Sequence, residues 1–455
     1  MLPRRKFVQY SGGFLLGSSS FCLLVSRAFG GSYDYVLTVS DSKFSLGDHK
    51  ALKGLAFNNQ FPAPIIRGRQ GQRLRIKLVN RLKQSTTIHW HGVRLANNMD
   101  GVPFLTQKPV EPGGSFIYDF VPPDAGTFWY HPHINSVEQL SLGLTGLLII
   151  DEVKELPFDQ DISFQLKNWV IKDKKIKKIF SMRKAARSGS RAPLFTVNGK
   201  NIEKIETHPG ENIRLRFANL DNSIVYQLSA PELKMGLYLA SVDSNPLPDP
   251  LPFDGYDLGS GSRIDLIFQP QKAGNYTIYH DGFGKKTPVV DLIVKPVDQP
   301  LIKKDTIKLP MNPVAVPDLK SAQTLAFRFE WAGAISPSNP KGAPVFWSIN
   351  KVAWSGFING KKPAPLATLK RGASYIFKLT NDTPHRHPIH LHGLFFRVDR
   401  SNKKKVRPYF ADTVLLDKNE TVHVSLVADN PGDWMFHCHI IEHLKTGLMG
   451  YIRVT

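Results

Sequence analysis

Cysteine is nearly missing from this chain: among 455 residues only Cys22 and Cys438 carry a thiol. Membrane-length apolar runs are missing near the start as well. The stretch from Phe14 to Val25 is twelve residues long and broken by Ser18, Ser19 and Ser20, too short and too polar to span a hydrocarbon core of about 30 Å. Arg4, Arg5 and Lys6 precede it and Ala28-Phe29-Gly30 follows it. That order is the n-region, h-region and cleavage site of an export leader, here residues 1–30, and the paired arginines point to the twin-arginine machinery. A periplasmic or otherwise exported protein is expected, with no stable membrane span after cleavage. Cleavage also removes Cys22, so an internal disulfide is excluded. Cys438 is left as a lone thiol in an oxidising compartment, a liability unless something occupies it.

Acidic residues are few: 38 Asp and Glu stand against 59 Lys and Arg, a formal charge of +21. The leader holds four basic residues and no acidic one, so the exported part stays strongly basic. The densest run, KDKKIKKIFSMRKAARSGSR at 172–191, has nine Lys/Arg and one Asp. It lacks a series of interleaved aromatics on which bases would stack. A solvated loop is the expectation, and no nucleic-acid partner. A second basic stretch runs from Lys403 to Arg407.

What the chain does have is a repeat. GQRLRIKLVN from Gly71, GENIRLRFAN from Gly210 and GASYIFKLTN from Gly372 share a leading glycine and a closing asparagine: Asn80, Asn219 and Asn381. Later in each unit come GTFWYHPH from Gly126, GNYTIYHD from Gly274 and GDWMFHCH from Gly432. Alternating runs bounded by Gly, Pro, Asn and Asp read as strands. The 33 prolines and 42% hydrophobic content agree with a loop-rich β-protein. An all-β fold of three β-sandwich domains follows, at 31–152, 153–300 and 301–455, with joins near Asp151 to Gln160 and in the tract Lys295 to Asp318.

Histidines fall on this repeat in register. Nine and eleven residues after the asparagine lie His89 and His91 in unit one and His390 and His392 in unit three. Five and seven after the second glycine lie His131 and His133, and His437 and His439. Unit two has Leu228, Ala230, Tyr279 and Asp281 at these places. Residues i and i+2 of a strand share a face, so each pair presents two imidazoles side by side. A single His-x-His is more often an ordinary surface or core pair. Four at matched positions imply a shared multinuclear metal site between units one and three, with unit two holding them in place. Alternation turns Cys438 away from His437 and His439, toward the spare histidines His387 and His443. A thiolate with two imidazoles is the set expected of an electron-transfer copper.

These motifs, HWHG (89–92), WYHPH (129–133), HPIHLHG (387–393) and HCHIIEHLKTGLM (437–449), resemble the four signatures of the multicopper oxidases, the laccase and copper-efflux-oxidase family, in order and spacing. The resemblance implies three cupredoxin-like Greek-key domains and four copper ions. By motif position, type 1 copper takes His387, Cys438 and His443, and type 2 takes His89 and His390. One type 3 ion takes His91, His131 and His439, the other His133, His392 and His437. The remaining histidines, His49, His208, His280, His385 and His423, match no motif and are expected to be structural or exposed. Asp100, in NNMDGVP, resembles the family's acidic residue near type 2 copper and is expected to relay protons; the plainer alternative is a turn cap before Gly101.

Two positions depart from the family pattern. Leu448 occupies the axial position, and Met449, one residue on, is expected to face away, leaving a three-coordinate type 1 site of raised potential. Leu444 stands where many bacterial members carry an acid, with Glu442 the nearest carboxylate. The seven methionines are scattered, unlike the methionine-rich insert of cuprous oxidases. The expected activity is one-electron oxidation of phenolic or aromatic donors coupled to reduction of O₂ to water, by a monomer whose partners are O₂ and a small reducing substrate. Oxidation of Cu(I), Fe(II) or Mn(II), or copper carriage without turnover, is the alternative. If the Lys403–Arg407 loop borders the type 1 edge, it favours anionic or neutral phenolics over cationic donors. A copper-free interaction protein is disfavoured because no ligand is lost. A two-domain nitrite reductase is excluded by the three repeats.

Overall fold

The repeat phrases become the central strands of the computed structural model, which describes residues 33–281, 285–297, 305–333, 345–354, 356 and 362–455. The export leader, with Cys22, lies outside them. The first phrase forms strands Leu74–Asn80, Ile213–Asn219 and Ser374–Asn381; the second forms Gly126–His131, Gly274–Asp281 and Gly432–Cys438. In each unit the two phrases lie in different sheets of a sandwich. Each first phrase opens on a glycine at φ +75, +85 or +78°, where a Cβ would be strained.

The three asparagines are buried and do one job. The Asn80 amide donates to the Gln84 and Val110 carbonyls at 2.9 and 2.8 Å, Asn219 to Ile224 and Leu258 at 2.7 and 2.8 Å, and Asn381 to His385 and Asp417, both at 2.7 Å. Each thereby pins the turn that follows its strand to a second segment of its unit.

Unit one pairs a sheet built on Tyr35–Leu46 with a four-stranded sheet that ends in His89–His91. In unit three a six-stranded sheet faces the five-stranded sheet that holds His387–Leu391 and Gly432–Cys438. Between them, unit two shares an eleven-stranded sheet with unit one, joined where Lys175 lies opposite Lys53. The strand Leu74–Asn80 alternates strictly, burying Leu74, Ile76 and Leu78. Its counterpart Ile213–Asn219 is buried throughout. Two of its residues are arginines, satisfied by ion pairs: Arg214 with Asp265 at 2.6 Å and Glu152 at 2.7 Å, and Arg216 with Asp161. A strand reads as charged yet sits inside because unit two is sandwiched between its neighbours. No helix among the described residues is long and apolar enough to cross a membrane.

Candidate metal centres

Two antiparallel ladders carry the cluster histidines. His89 lies opposite His131 in unit one, and His390 opposite His437 in unit three. The ladders meet ring to ring: His91 stacks on His390 and His89 on His392, each with centroids 3.8 Å apart. Ligand atoms of His91, His131 and His439 converge within 4.8 Å of one another, as do those of His133, His392 and His437, and those of His89, His91 and His390. All eight imidazoles are buried.

Most of their outer nitrogens are occupied. His89 Nδ1 meets the Asp100 carbonyl at 2.8 Å, His390 Nδ1 the Asp412 carbonyl at 2.9 Å, and His131 Nδ1 the Pro132 carbonyl at 3.0 Å. His392 Nδ1 lies 3.0 Å from Asp100 Oδ2, and His91 Nε2 lies 3.2 Å from Asp412 Oδ1. Five inner nitrogens, His89 Nε2, His91 Nδ1, His131 Nε2, His390 Nε2 and His439 Nε2, are buried without a hydrogen-bond partner among the described residues. Each such orphan costs on the order of 1–3 kcal/mol, so five on a shared site point to metal. Burial, then the neighbouring imidazoles, hold His131, His133, His392, His437 and His439 well below the usual histidine range. Neutral imidazole is the ligating form.

The second centre is smaller. Cys438 Sγ lies 3.6 Å from Nδ1 of both His387 and His443, and those two nitrogens are 3.1 Å apart. All three residues are fully buried. Burial pushes the thiol up and His443 down to about 3, and the Ile440 N–H donates to the sulfur at 3.4 Å. A soft cation suits this set, since it displaces the thiol proton and takes both free nitrogens. The far nitrogens rest on neutral groups, His387 Nε2 on Thr383 Oγ1 at 2.9 Å and His443 Nε2 on the Arg187 carbonyl at 2.6 Å. Leu448 packs in the same core as Cys438, whereas Met449 packs with Met435, Tyr451, Val102 and Leu105.

Several residues that hold these centres carry no mark in the sequence. Asp412 touches both His91 and His390 and is gripped by Arg263 at 2.9 and 2.7 Å. Burial opposes its ionisation, but Arg263 and His390 outweigh that and hold it well below the carboxylate range. The same guanidinium contacts Asp243 at 3.3 Å, which burial and Asp412 push up to about 7. Ser260 Oγ lies 3.2 Å from His439 Nδ1. Gly261 permits this approach, because a Cβ there would lie 2.8 Å from the His439 ring. Arg263, Asp243, Ser260 and Gly261 all belong to unit two, so long-range packing alone brings them here.

Asp100 follows the 3₁₀ turn Asn97–Met99 and donates its own N–H to the Asn97 carbonyl, but its carboxylate contacts His89 as well as His392. The run at 172–191 departs from the expected solvated loop. Ile176, Ile179, Ala185 and Ser190 are buried, and its far half crosses onto unit three. Glu442 does not face the cluster. Its carboxylate accepts from this crossing segment, from the Ser181 N–H at 2.9 Å, Ser190 Oγ at 2.7 Å and the Ser190 N–H. Of the histidines outside the motifs, His280 is buried with both nitrogens unpartnered, whereas His208 is exposed beside Glu211. His385 bonds Ser188 Oγ at 3.0 Å; burial and then the field of Lys418 and Arg187 lower its pKa.

Known proteins share this layout. Two family profiles described as multicopper oxidase match residues 38–155 and 337–455. The solved structure of a multi-copper oxidase from Pseudomonas thermotolerans superposes with a TM-score of 0.83 at 39% identity, over 92% of this chain and 98% of its own. A curated multicopper oxidase from Staphylococcus epidermidis is 26% identical over 93% of this chain and 89% of its own length. A laccase from Trametes hirsuta is 27% identical over 94% and 91%. The chain belongs to the multicopper oxidase family, copper oxidoreductases that use O₂ as acceptor.

Proposed function

We propose that this protein is an exported, laccase-like oxidase with four copper ions per chain, which oxidises phenolic or aromatic donors by one electron each. Four donors, each losing one electron and one proton, balance the conversion of O₂ to two waters. The observation that carries this reading is the adjacency of two ligand sets along one strand end: Cys438 belongs to the small centre, and its neighbours His437 and His439 belong to the cluster. In this reading His387, Cys438 and His443 hold the electron-entry copper. His89 and His390 hold the type 2 ion, and His91, His131, His439 and His133, His392, His437 hold the type 3 pair. Copper, when bound, supplies the one-electron steps and the reduction of O₂.

The chain's own residues supply the path and the protons. One peptide unit on either side of Cys438 leads to a cluster ligand, and His437 Nδ1 adds a contact to the Cys438 carbonyl at 2.9 Å. Asp100 orients His89 and His392 through its carboxylate and, buried beside them, is the group we assign to carry protons inward. Leu448 shares the core of Cys438 while Met449 packs elsewhere, so a copper held by His387, Cys438 and His443 would gain no thioether from this stretch, which would favour a high reduction potential.

Copper content, visible spectrum and O₂ uptake on a phenol, taken on one copper-loaded sample, test this. Four coppers, an intense blue band and O₂ consumption are expected. Full copper without O₂ consumption on phenols, Fe(II) or Cu(I) would replace the oxidase with a copper carrier; uptake on the metal ions alone would replace the phenol.

A further inference from the structure

The segment 181–191 of unit two lies across the electron-entry centre like a strap. Cys438, His387 and His443 are fully buried. The outer nitrogen of His443 rests on the Arg187 carbonyl, and Trp347 Nε1 donates to the Ala185 carbonyl at 2.8 Å. On this side a donor therefore meets the strap and not an imidazole. Its seat is fixed: Glu442 accepts from Ser181, Ser190 and, at 3.4 Å, Ser223, and Ser188 bonds His385.

What the strap turns outward is positive charge. Arg183, Lys184 and Arg187 are exposed, and none of them forms an ion pair among the described residues. Lys445, from the turn that carries His443, is exposed alongside, its ammonium 5.7 Å from the Phe180 ring centroid. The other basic stretch is tied to the same centre through a chain of contacts. Lys403 bonds the Lys418 carbonyl, the Asn419 N–H donates to the Thr383 carbonyl at 3.1 Å, and Thr383 Oγ1 holds His387. One basic run thus covers the Cys438 centre directly, and the other is linked to it through Thr383.

We propose that the strap is a docking face for anionic donors, specifically phenols that carry a carboxylate. This rests on the phenol-oxidase reading and narrows it. The carboxylate is held by Arg183, Lys184 and Arg187, which lays the ring against the outer face of Ala186–Arg187, one carbonyl from His443. The phenol gives its electron to the centre and its hydroxyl proton to solvent, and the carboxylate leaves unchanged. Fields of this kind raise capture of oppositely charged donors by about 10-fold or more at low salt.

Binding tests this independently of turnover. 3-(3,4-Dimethoxyphenyl)propionate, which has no phenolic proton to lose, and its methyl ester are titrated against copper-loaded protein by ligand-observed NMR. The acid is expected to bind at least about tenfold tighter than the ester at 0.01 M salt, and to lose most of that preference at 0.15 M as the Debye length falls from about 30 to about 8 Å. Arg183→Glu with Lys184→Glu and Arg187→Glu is expected to abolish the preference. The same charge change at the exposed Lys50, Lys272 and Lys320 is expected to leave it. Equal binding of acid and ester, no binding of the acid, or a preference indifferent to both salt and strap reversal would overturn the proposal; the salt series needs no variant to fold. Acid that binds in this way, while its phenolic counterpart is not oxidised, would leave the docking face standing and remove the phenol-oxidase reading instead.

Discussion

Around the eight-imidazole cluster two buried carboxylates join the backbone carbonyls and the Ser260 hydroxyl at the outer ring nitrogens, Asp100 on His89 and His392 and Asp412 on His91 and His390, whereas around Cys438 the outer nitrogens rest on a hydroxyl and a carbonyl alone, Thr383 and Arg187. Anionic partners raise the basicity of a metal-bound imidazole and offset the charge of several ions. They can also accept a proton. The partners of the outer nitrogens at Cys438 are neutral, which suits the electron-entry role proposed for that centre, where no proton need move. Both centres lean on unit two, which supplies Arg263 and Asp243 to one and the strap to the other. A domain without metal-ligand pairs is thus the frame on which two chemically different sites are tuned.

The strongest way to break this contrast is at the thiolate. Cys438→Ser is expected to remove the blue band and to lower O₂ consumption by more than the roughly 10–100-fold that loss of an outer hydrogen-bond partner costs. Copper in the eight-imidazole cluster is expected to stay, so three ions per chain in place of four is the count to look for. Loss of all copper would mean that the centres are not separate.

Next come the carboxylates. Asp412→Ala leaves Arg263 buried beside Asp243 alone and is expected to cost about 3–5 kcal/mol of stability by thermal denaturation. Asp412→Asn keeps the shape and costs less. Asp100→Asn is expected to slow O₂ reduction about 10–100-fold while the blue band persists. An unchanged rate would limit Asp100 to its turn.

These two carboxylates also mark how far the sequence could be read. The His-x-His pairs and Cys438 were legible because strand periodicity and the repeat fix their register, and a strand needs only local alternation to aim two rings alike. Asp100 was visible through the family motif. Asp412, Arg263 and Ser260 were not: Asp412 sits in the bend between two strands of unit three, and Arg263 and Ser260 come from unit two and reach the site only when the units pack. The run at 172–191 departs from a solvated loop for a related reason. Its lysines and arginines do face water, but Ile176, Ile179 and Ala185, scattered among them without strand or helix period, are what anchor it.

A smaller effect is expected at Glu442, which sharpens the dependence of the Cys438 centre on the strap. Glu442→Gln keeps the side-chain shape but gives up the negative charge on which Ser181, Ser190 and Ser223 converge. Charge-assisted bonds of this kind support a loss of about 1–3 kcal/mol in stability, read by thermal denaturation of copper-loaded protein. The potential of the blue centre is expected to shift with it, while copper in the cluster is unaffected. If stability falls with no change in that potential, the strap covers the centre without tuning it.

The smallest effect at neutral pH is expected at the place in unit two that corresponds to Cys438. His280 lies six residues after Gly274, as Cys438 does after Gly432. It is buried between Phe195 and Tyr226, with ring centroids 4.3 and 5.0 Å away, and among the described residues neither nitrogen has a hydrogen-bond partner. Here the repeat's sixth position is an apolar filler. Burial lowers its pKa to about 4 against an unfolded value near 6.5. As pH falls through 6.5 the unfolded chain takes up the proton first, so stability is lost between about 6.5 and 4 and changes no further below that. The loss is at most about 3 kcal/mol. His280→Leu nearly conserves volume and is expected to lie within about 1.5 kcal/mol of the parent at pH 7, and to gain on it steadily as the pH is lowered to 4. Parallel stability curves for the two proteins would show that His280 is not held neutral, and that the unit-two position has a polar role nearer to that of Cys438 than the comparison allows.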